Sequence, residues 1–153
     1  MAEFDFKRLK KITMAYRVVQ IILLLLLVTI AFMFQAKYPS HFFISFVVAV
    51  VLQGGLLYPL YRLAWRDAVV EFDSCSRSLS TEQLVALRKK RLMGDLWKAS
   101  LLVFFLIFIA RIPDAQKTGT PFFLSTSLYS FLLILLTYFQ CFNYSVKKKM
   151  AAL

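Results

Sequence analysis

The chain has 153 residues, of which 60% are apolar and only 18% charged, and it carries a formal net charge of +11. Soluble domains hold about 45–50% apolar and about 25% charged residues, so this composition excludes an ordinary soluble globule and indicates a membrane protein. The basic excess raises nucleic acid as a partner, but the basic residues flank apolar runs, where topology and anionic headgroups account for them. Membrane lipids, and no nucleic acid, are the expected contacts.

Residues 4–12 alternate apolar and basic groups, as in a short helix lying along the headgroups or a solvated charged lead-in. The first uncharged run is 18–34. A bilayer core of about 30 Å needs roughly 20 helical residues, and about 17 at the short end, so 18–34 reads as a first span. It exceeds the roughly 7–15 residues of a signal-peptide core and is followed by no small-x-small cleavage pattern, so it is expected to be retained.

A short connector, 35–41, with Pro39 as its breaker joins it to a second span, 42–61, in a tight hairpin. This span carries Ser45, Ala49 and Gln53 at steps of four, then Gly54, Gly55 and Pro59. Small residues let helix backbones approach in lipid, and an amide bridges to a neighbouring hydroxyl, so these are expected helix-packing groups. Pro59 removes an amide donor and should bend the helix where it leaves the hydrocarbon.

Beyond it, Tyr61, Trp65, Ala68, Phe72 and Cys75 recur at helical steps, which extends the helix out of the membrane with one apolar stripe. A turn over 74–80 ends in Ser80-Thr81-Glu82-Gln83, the form of a capping box that starts a new helix. That helix carries Leu84, Val85, Leu87 and Leu92. A cytoplasmic helical hairpin over 62–98 is therefore expected, its two helices meeting across the Trp65 and Phe72 stripe. Its outer face bears Arg88, Lys89, Lys90 and Arg91, read as a topology signal lying near anionic lipid.

A third span, 96–112, requires Lys98 and Arg111 to snorkel to the two interfaces, with Trp97 at one boundary. A second external connector, 113–121, leads to a fourth span, 122–144. Here Ser127, Ser130, Thr137 and Cys141, interrupted by Ile134, form a small-residue seam, expected to meet the Ser45, Ala49 and Gln53 face or a second subunit.

Orientation follows from the basic residues. Five precede the first span, eight lie between the second and third, and three follow the fourth, against Lys37, Arg111 and Lys117 on the other side. The positive-inside rule then places both termini and the 62–98 segment in the cytoplasm. Cys75 and Cys141 are expected to be reduced thiols.

The fold class is thus all-α: a polytopic bundle of four transmembrane helices with a cytoplasmic hairpin between the second and third. Motifs for chemistry are missing. The single histidine, His41, has no carboxylate near it in sequence, no zinc-type cysteine spacing occurs, and there is no phosphate loop or nucleophile elbow. No span has an ionisable residue at its centre, as ion-coupled carriers usually do. No catalytic, metal or cofactor residues are assigned. The expected function is that of a non-enzymatic accessory, assembly or structural subunit, homo-oligomeric or bound in a larger complex of the bacterial inner membrane. Two alternatives stay open. One is a small oligomeric channel or transporter using the Ser/Thr/Gln faces. The other is a membrane-embedded lipid or glutathione-transferase-like enzyme with a pocket near Arg62, Arg66, Asp67 and Glu71.

Lys37-Tyr38-Pro39 closes the first hairpin, Gly54-Gly55 lies in the second span, Ala64-Trp65-Arg66 ends it, and Gly94-Asp95-Leu96-Trp97-Lys98 opens the third. In this order of features the chain resembles the ATP synthase protein I family of small four-helix bacterial membrane proteins. The resemblance implies an accessory of the F-type ATP synthase, associated with assembly of the rotor ring and with magnesium uptake. The cytoplasmic segment is longer than the family's, and Asp95 stands where the family more often has glutamate.

Overall fold

The computed structural model describes residues 4–111 and 121–153. Within them the chain is four helices: α1 (Lys7–Lys37), α2 (Pro39–Asp73), α3 (Thr81–Ala110) and α4 (Pro121–Ala151). Of these, α1, α2 and α4 are long and apolar enough to cross a membrane. The predicted connector over 113–121 lies, except for Pro121, outside the described residues, as does the end of the predicted span 96–112.

At 1.5 Å per residue the 31 residues of α1 extend about 46 Å, well past a hydrocarbon core of about 30 Å. No separate surface helix precedes the span. Residues 7–17 continue the same helix, because nothing between Lys7 and Val18 breaks the i to i−4 ladder. The first described residues fold back instead. Asp5 donates its backbone N–H to the Cys75 carbonyl at 2.9 Å, and Phe4 forms an isolated antiparallel bridge with Ser76. Asp5 Oδ1 accepts from the Lys7 N–H at 3.0 Å, covering one orphan donor of the first turn.

One residue, Tyr38, separates α1 from α2, with Pro39 at the first helical position, where its missing N–H costs nothing. Helix α2 then runs through Pro59 without interruption. The Ser80 capping box forms as its sequence predicts. The Gln83 N–H donates to Ser80 Oγ at 3.3 Å, and the Ser80 N–H donates to Gln83 Oε1 at 3.1 Å.

The central pair is α2 with α4, which run parallel: Ser45 meets Ser125, Gln53 meets Thr137 and Asp67 meets Tyr138, in the same order along both helices. Antiparallel to α4, α1 packs Tyr16 on Phe139 and Phe142, and Phe34 on Tyr129. The core divides into two apolar clusters. One joins Leu23, Ile30 and Phe34 to Ala49 and to Phe105, Leu128 and Leu132. The other gathers Leu9, Ala64, Ala68, Phe72, Cys75, Tyr138, Phe142 and Val146.

The stripe on α2 belongs to this second cluster, which corrects the expected hairpin packing. Phe72 stacks with Phe4 and Phe6 at ring distances of 5.2 and 5.6 Å, and Lys148 and Lys149 of α4 lie over Trp65 and Phe72. It therefore faces α4 and the N-terminal segment rather than α3, since those two supply the apolar partners. The contacts that α3 makes with this end of α2 centre on the charged Arg91 and Lys98.

Candidate functional site

Asp67 and Glu71 stand one helical turn apart on α2, and each is only 3% exposed. Across from them on α3 is Arg91, 7% exposed. Its Nε donates to Glu71 Oε1 at 2.9 Å, and its Nη1 lies 3.0 Å from Asp67 Oδ2. Nη1 also donates to the Tyr138 hydroxyl at 3.4 Å, and Nη2 to the Tyr16 hydroxyl. One guanidinium thus ties α3 to α2, α4 and α1. Tyr138 in turn donates to Asp67 Oδ2.

A lone buried carboxylate would be costly, and two adjacent ones more so. Lys98 supplies the second cation, with Nζ 3.4 Å from Asp67 Oδ2, 3.1 Å from Asp95 Oδ1 and 4.5 Å above the Tyr138 ring. Arg8 approaches Glu71 Oε2 at 3.8 Å from α1. Burial works against the Arg91 charge, but Tyr16, Tyr138 and Asp95 outweigh it and hold the guanidinium above its ordinary value. Chemically, this arrangement clamps: the carboxylates are engaged by cations, and a guanidinium does not release its proton.

Gly94 explains how α3 comes so close. A Cβ there would stand 3.4 Å from Asp67 Oδ1 and 3.5 Å from Oδ2, so a longer side chain would displace the carboxylate. Arg91, Gly94 and Lys98 recur at steps of three and four and form the face of α3 turned to α2 and α4.

Arg91 is therefore not a membrane-surface residue, as the run Arg88, Lys89, Lys90 and Arg91 suggests; the other three are exposed. Its face decides this, because its three basic neighbours stay exposed while Arg91 meets two buried carboxylates. Asp67 and Glu71, one turn apart without a basic residue on their own face, were the available sequence signal. Tyr16 and Tyr138 gave no signal beyond their place in the apolar runs.

The expected packing residues divide into two groups. Ser45 and Ala49 are wholly buried against α4, and Ser45 accepts from Ser125 Oγ at 2.7 Å, not from a residue of the expected seam. Gln53 Nε2 donates to Thr137 Oγ1, so that one seam residue does meet α2. Ser127, Ser130 and Cys141 are half-buried, and the Ser130 hydroxyl has no hydrogen-bond partner among the described residues. The α4 positions filling the space beside the small α2 residues are instead the large Leu128, Tyr129 and Leu132. Gly54, Gly55 and Pro59 are exposed, with nothing within 4 Å of where a Gly54 or Gly55 Cβ would sit. Tyr61 and Trp65 are half-buried with rings 6.3 Å apart, and Ala68 and Phe72 are buried.

Beside the ionic cluster, a cleft of about 580 Å³ opens between α2, α3 and α4. Its walls are aliphatic and aromatic, with Arg66, Lys90 and Lys98 as the charged lining among the described residues. Among the described residues no group of three or more His, Cys, Asp or Glu is arranged to hold a metal ion. Comparison with protein-family models, curated proteins and solved structures finds no significant match to this chain.

Proposed function

We propose that this chain is a small non-enzymatic integral membrane protein serving as an accessory or structural subunit of a larger membrane assembly. In this reading α3 is a fourth crossing, and both termini and the α2–α3 turn lie on the cytoplasmic side of a bacterial inner membrane. The exposed Leu102, Val103, Phe104, Leu106 and Ile107 support the crossing, since a contiguous apolar surface of this kind needs lipid or protein over it.

The observation that carries the subunit reading is the uncovered Gly54–Gly55 face of α2. Small residues in lipid favour close backbone approach, and among the described residues no neighbour takes it up. Next to it Val51 and Tyr58 are 69% and 72% exposed. Asp67, Glu71, Arg91 and Lys98, by contrast, are engaged with one another inside the bundle.

Purification from native membranes in mild detergent tests the reading. The protein should elute in a larger complex, and Gly55→Leu should release it while leaving its own helix content intact. Elution of the wild type alone as a monomer overturns the reading. The motif order shared with ATP synthase protein I makes the F-type ATP synthase, and its rotor ring in particular, the first assembly to seek among the co-purifying subunits.

A further inference from the structure

The cleft between α2, α3 and α4 is lined along most of its surface by Leu60, Leu63, Met93, Trp97, Leu101 and Ile134. Its volume of about 580 Å³ falls within the roughly 300–1,000 Å³ of small-molecule sites. A helix 10–12 Å across would fit only about one turn into 580 Å³, whereas a flexible acyl chain can follow such a cleft. Trp97 and Met93 are 73% and 64% exposed, so the cleft is open at its side.

Charge is distributed unevenly along it. Lys90 and Arg66 stand at the end near the α2–α3 turn, while Leu101 and Ile134 lie toward the apolar middle of α3 and α4. Among the described residues no carboxylate lines the cleft. Asp67 lies behind it, in the cluster with Arg91, Tyr138 and Lys98, and reaches Arg66 at 3.6 Å. Lys90 makes no ion pair among the described residues, and Arg66, though 3.6 Å from Asp67 Oδ1, keeps its side chain 56% exposed. Two cations, Lys90 and Arg66, at the mouth of an apolar groove, at the level where a helix leaves the hydrocarbon, match the two halves of a lipid.

We propose that this cleft binds one anionic phospholipid, its phosphate held by Lys90 and Arg66 and an acyl chain lying along Leu60, Leu101 and Ile134. The proposal rests on the membrane placement given above, not on the subunit reading: an isolated protein binds the lipid equally well.

The test is native mass spectrometry of the detergent-purified protein, supplied with phosphatidylglycerol or phosphatidylcholine of the same chain length. The wild type should retain phosphatidylglycerol in preference to phosphatidylcholine with one-to-one stoichiometry. Lys90→Glu should lower that retention by about tenfold, as one attractive contact becomes repulsive. Lys89→Glu, which changes the net charge equally from a position outside the cleft, should leave it unaltered. Met93→Trp should reduce retention of the lipid by narrowing the apolar groove. Equal loss in the two glutamate variants means diffuse surface attraction and overturns the site. So does equal retention of the two lipids, or displacement of the bound lipid by glycerophosphate alone.

Discussion

Arg91 of α3 and Glu71 of α2 lie 2.9 Å apart with both side chains almost wholly withdrawn from solvent. Removing one member of such a pair leaves an uncompensated buried charge, which typically costs about 3–5 kcal/mol. Arg91→Met should therefore lower unfolding stability in detergent by that order. Arg91→Lys should not recover it, because a single ammonium cannot reach Asp67, Glu71 and Tyr16 as the planar fork does. Replacing Asp67, Glu71 and Arg91 together by apolar residues of similar volume should recover much of the loss. A single-variant loss below about 1 kcal/mol, the scale of a surface pair, would sink the clamp.

Gly94 gives a second, steric test of the same contact. Gly94→Ala places its methyl in van der Waals contact with Asp67 and gains helix propensity of up to about 1 kcal/mol, so stability should hold or rise. Gly94→Leu overpacks the interface and should cost about 1–3 kcal/mol. Thermal unfolding of the two variants checks the order, and a neutral leucine contradicts the described approach of α3 to α2.

Between the two apolar clusters, Gln53 and Thr137 bridge α2 to α4. Interhelical hydrogen bonds in membranes average about 0.6 kcal/mol, so a double-mutant cycle of Gln53→Leu and Thr137→Val should give a coupling of that size. Zero coupling would remove the bridge. The same variants in liposomes probe the channel alternative, since solute flux carried by this polar face would change in both.

Cys75 supplies a pH dependence. Burial, and after it the Glu71 carboxylate, pushes its thiol above the ordinary 9.0. The folded chain then holds this proton more tightly than the unfolded chain. The resulting stabilisation is fully present below the unfolded value and is lost as pH rises through the folded one. On a Cys141→Ser background, alkylation of the native protein at pH 8 should be slower than that of the urea-unfolded protein. The gap should narrow as pH rises above 9.0. Equal rates at pH 8 would contradict the buried thiol.

How much of this was legible in the sequence depended on whether the signal was local. The capping box at Ser80 and Gln83 depends only on residues three apart, and it forms as read. The apolar runs over 18–34, 42–61 and 122–144 fall within α1, α2 and α4, because span length is set by the bilayer and not by partners. Which face meets which helix is a property of the assembled bundle, and there the reading diverged. Arg91 looks like its neighbours in a basic run until α2 brings Asp67 and Glu71 to it. Proximity in the chain favours α3 as the partner of the Trp65 and Phe72 stripe, whereas α4 and residues 4–9 cover it. On α4 the small residues drew attention, yet Leu128 and Leu132 fill the core, because small side chains on α2 already make the space.

The parallel seating of α2 on α4 also sets an order of events in the cell. Both apolar clusters draw on α4, which is the last of the described helices in chain order. At roughly 5–20 residues per second, its 31 residues take on the order of seconds to be synthesised. During that interval Arg91 can already engage Asp67 and Glu71, but Leu128, Leu132 and Phe142 have yet to arrive. The ionic clamp can thus hold α2 and α3 in register on the nascent chain, like a hinge pin set before the door is hung.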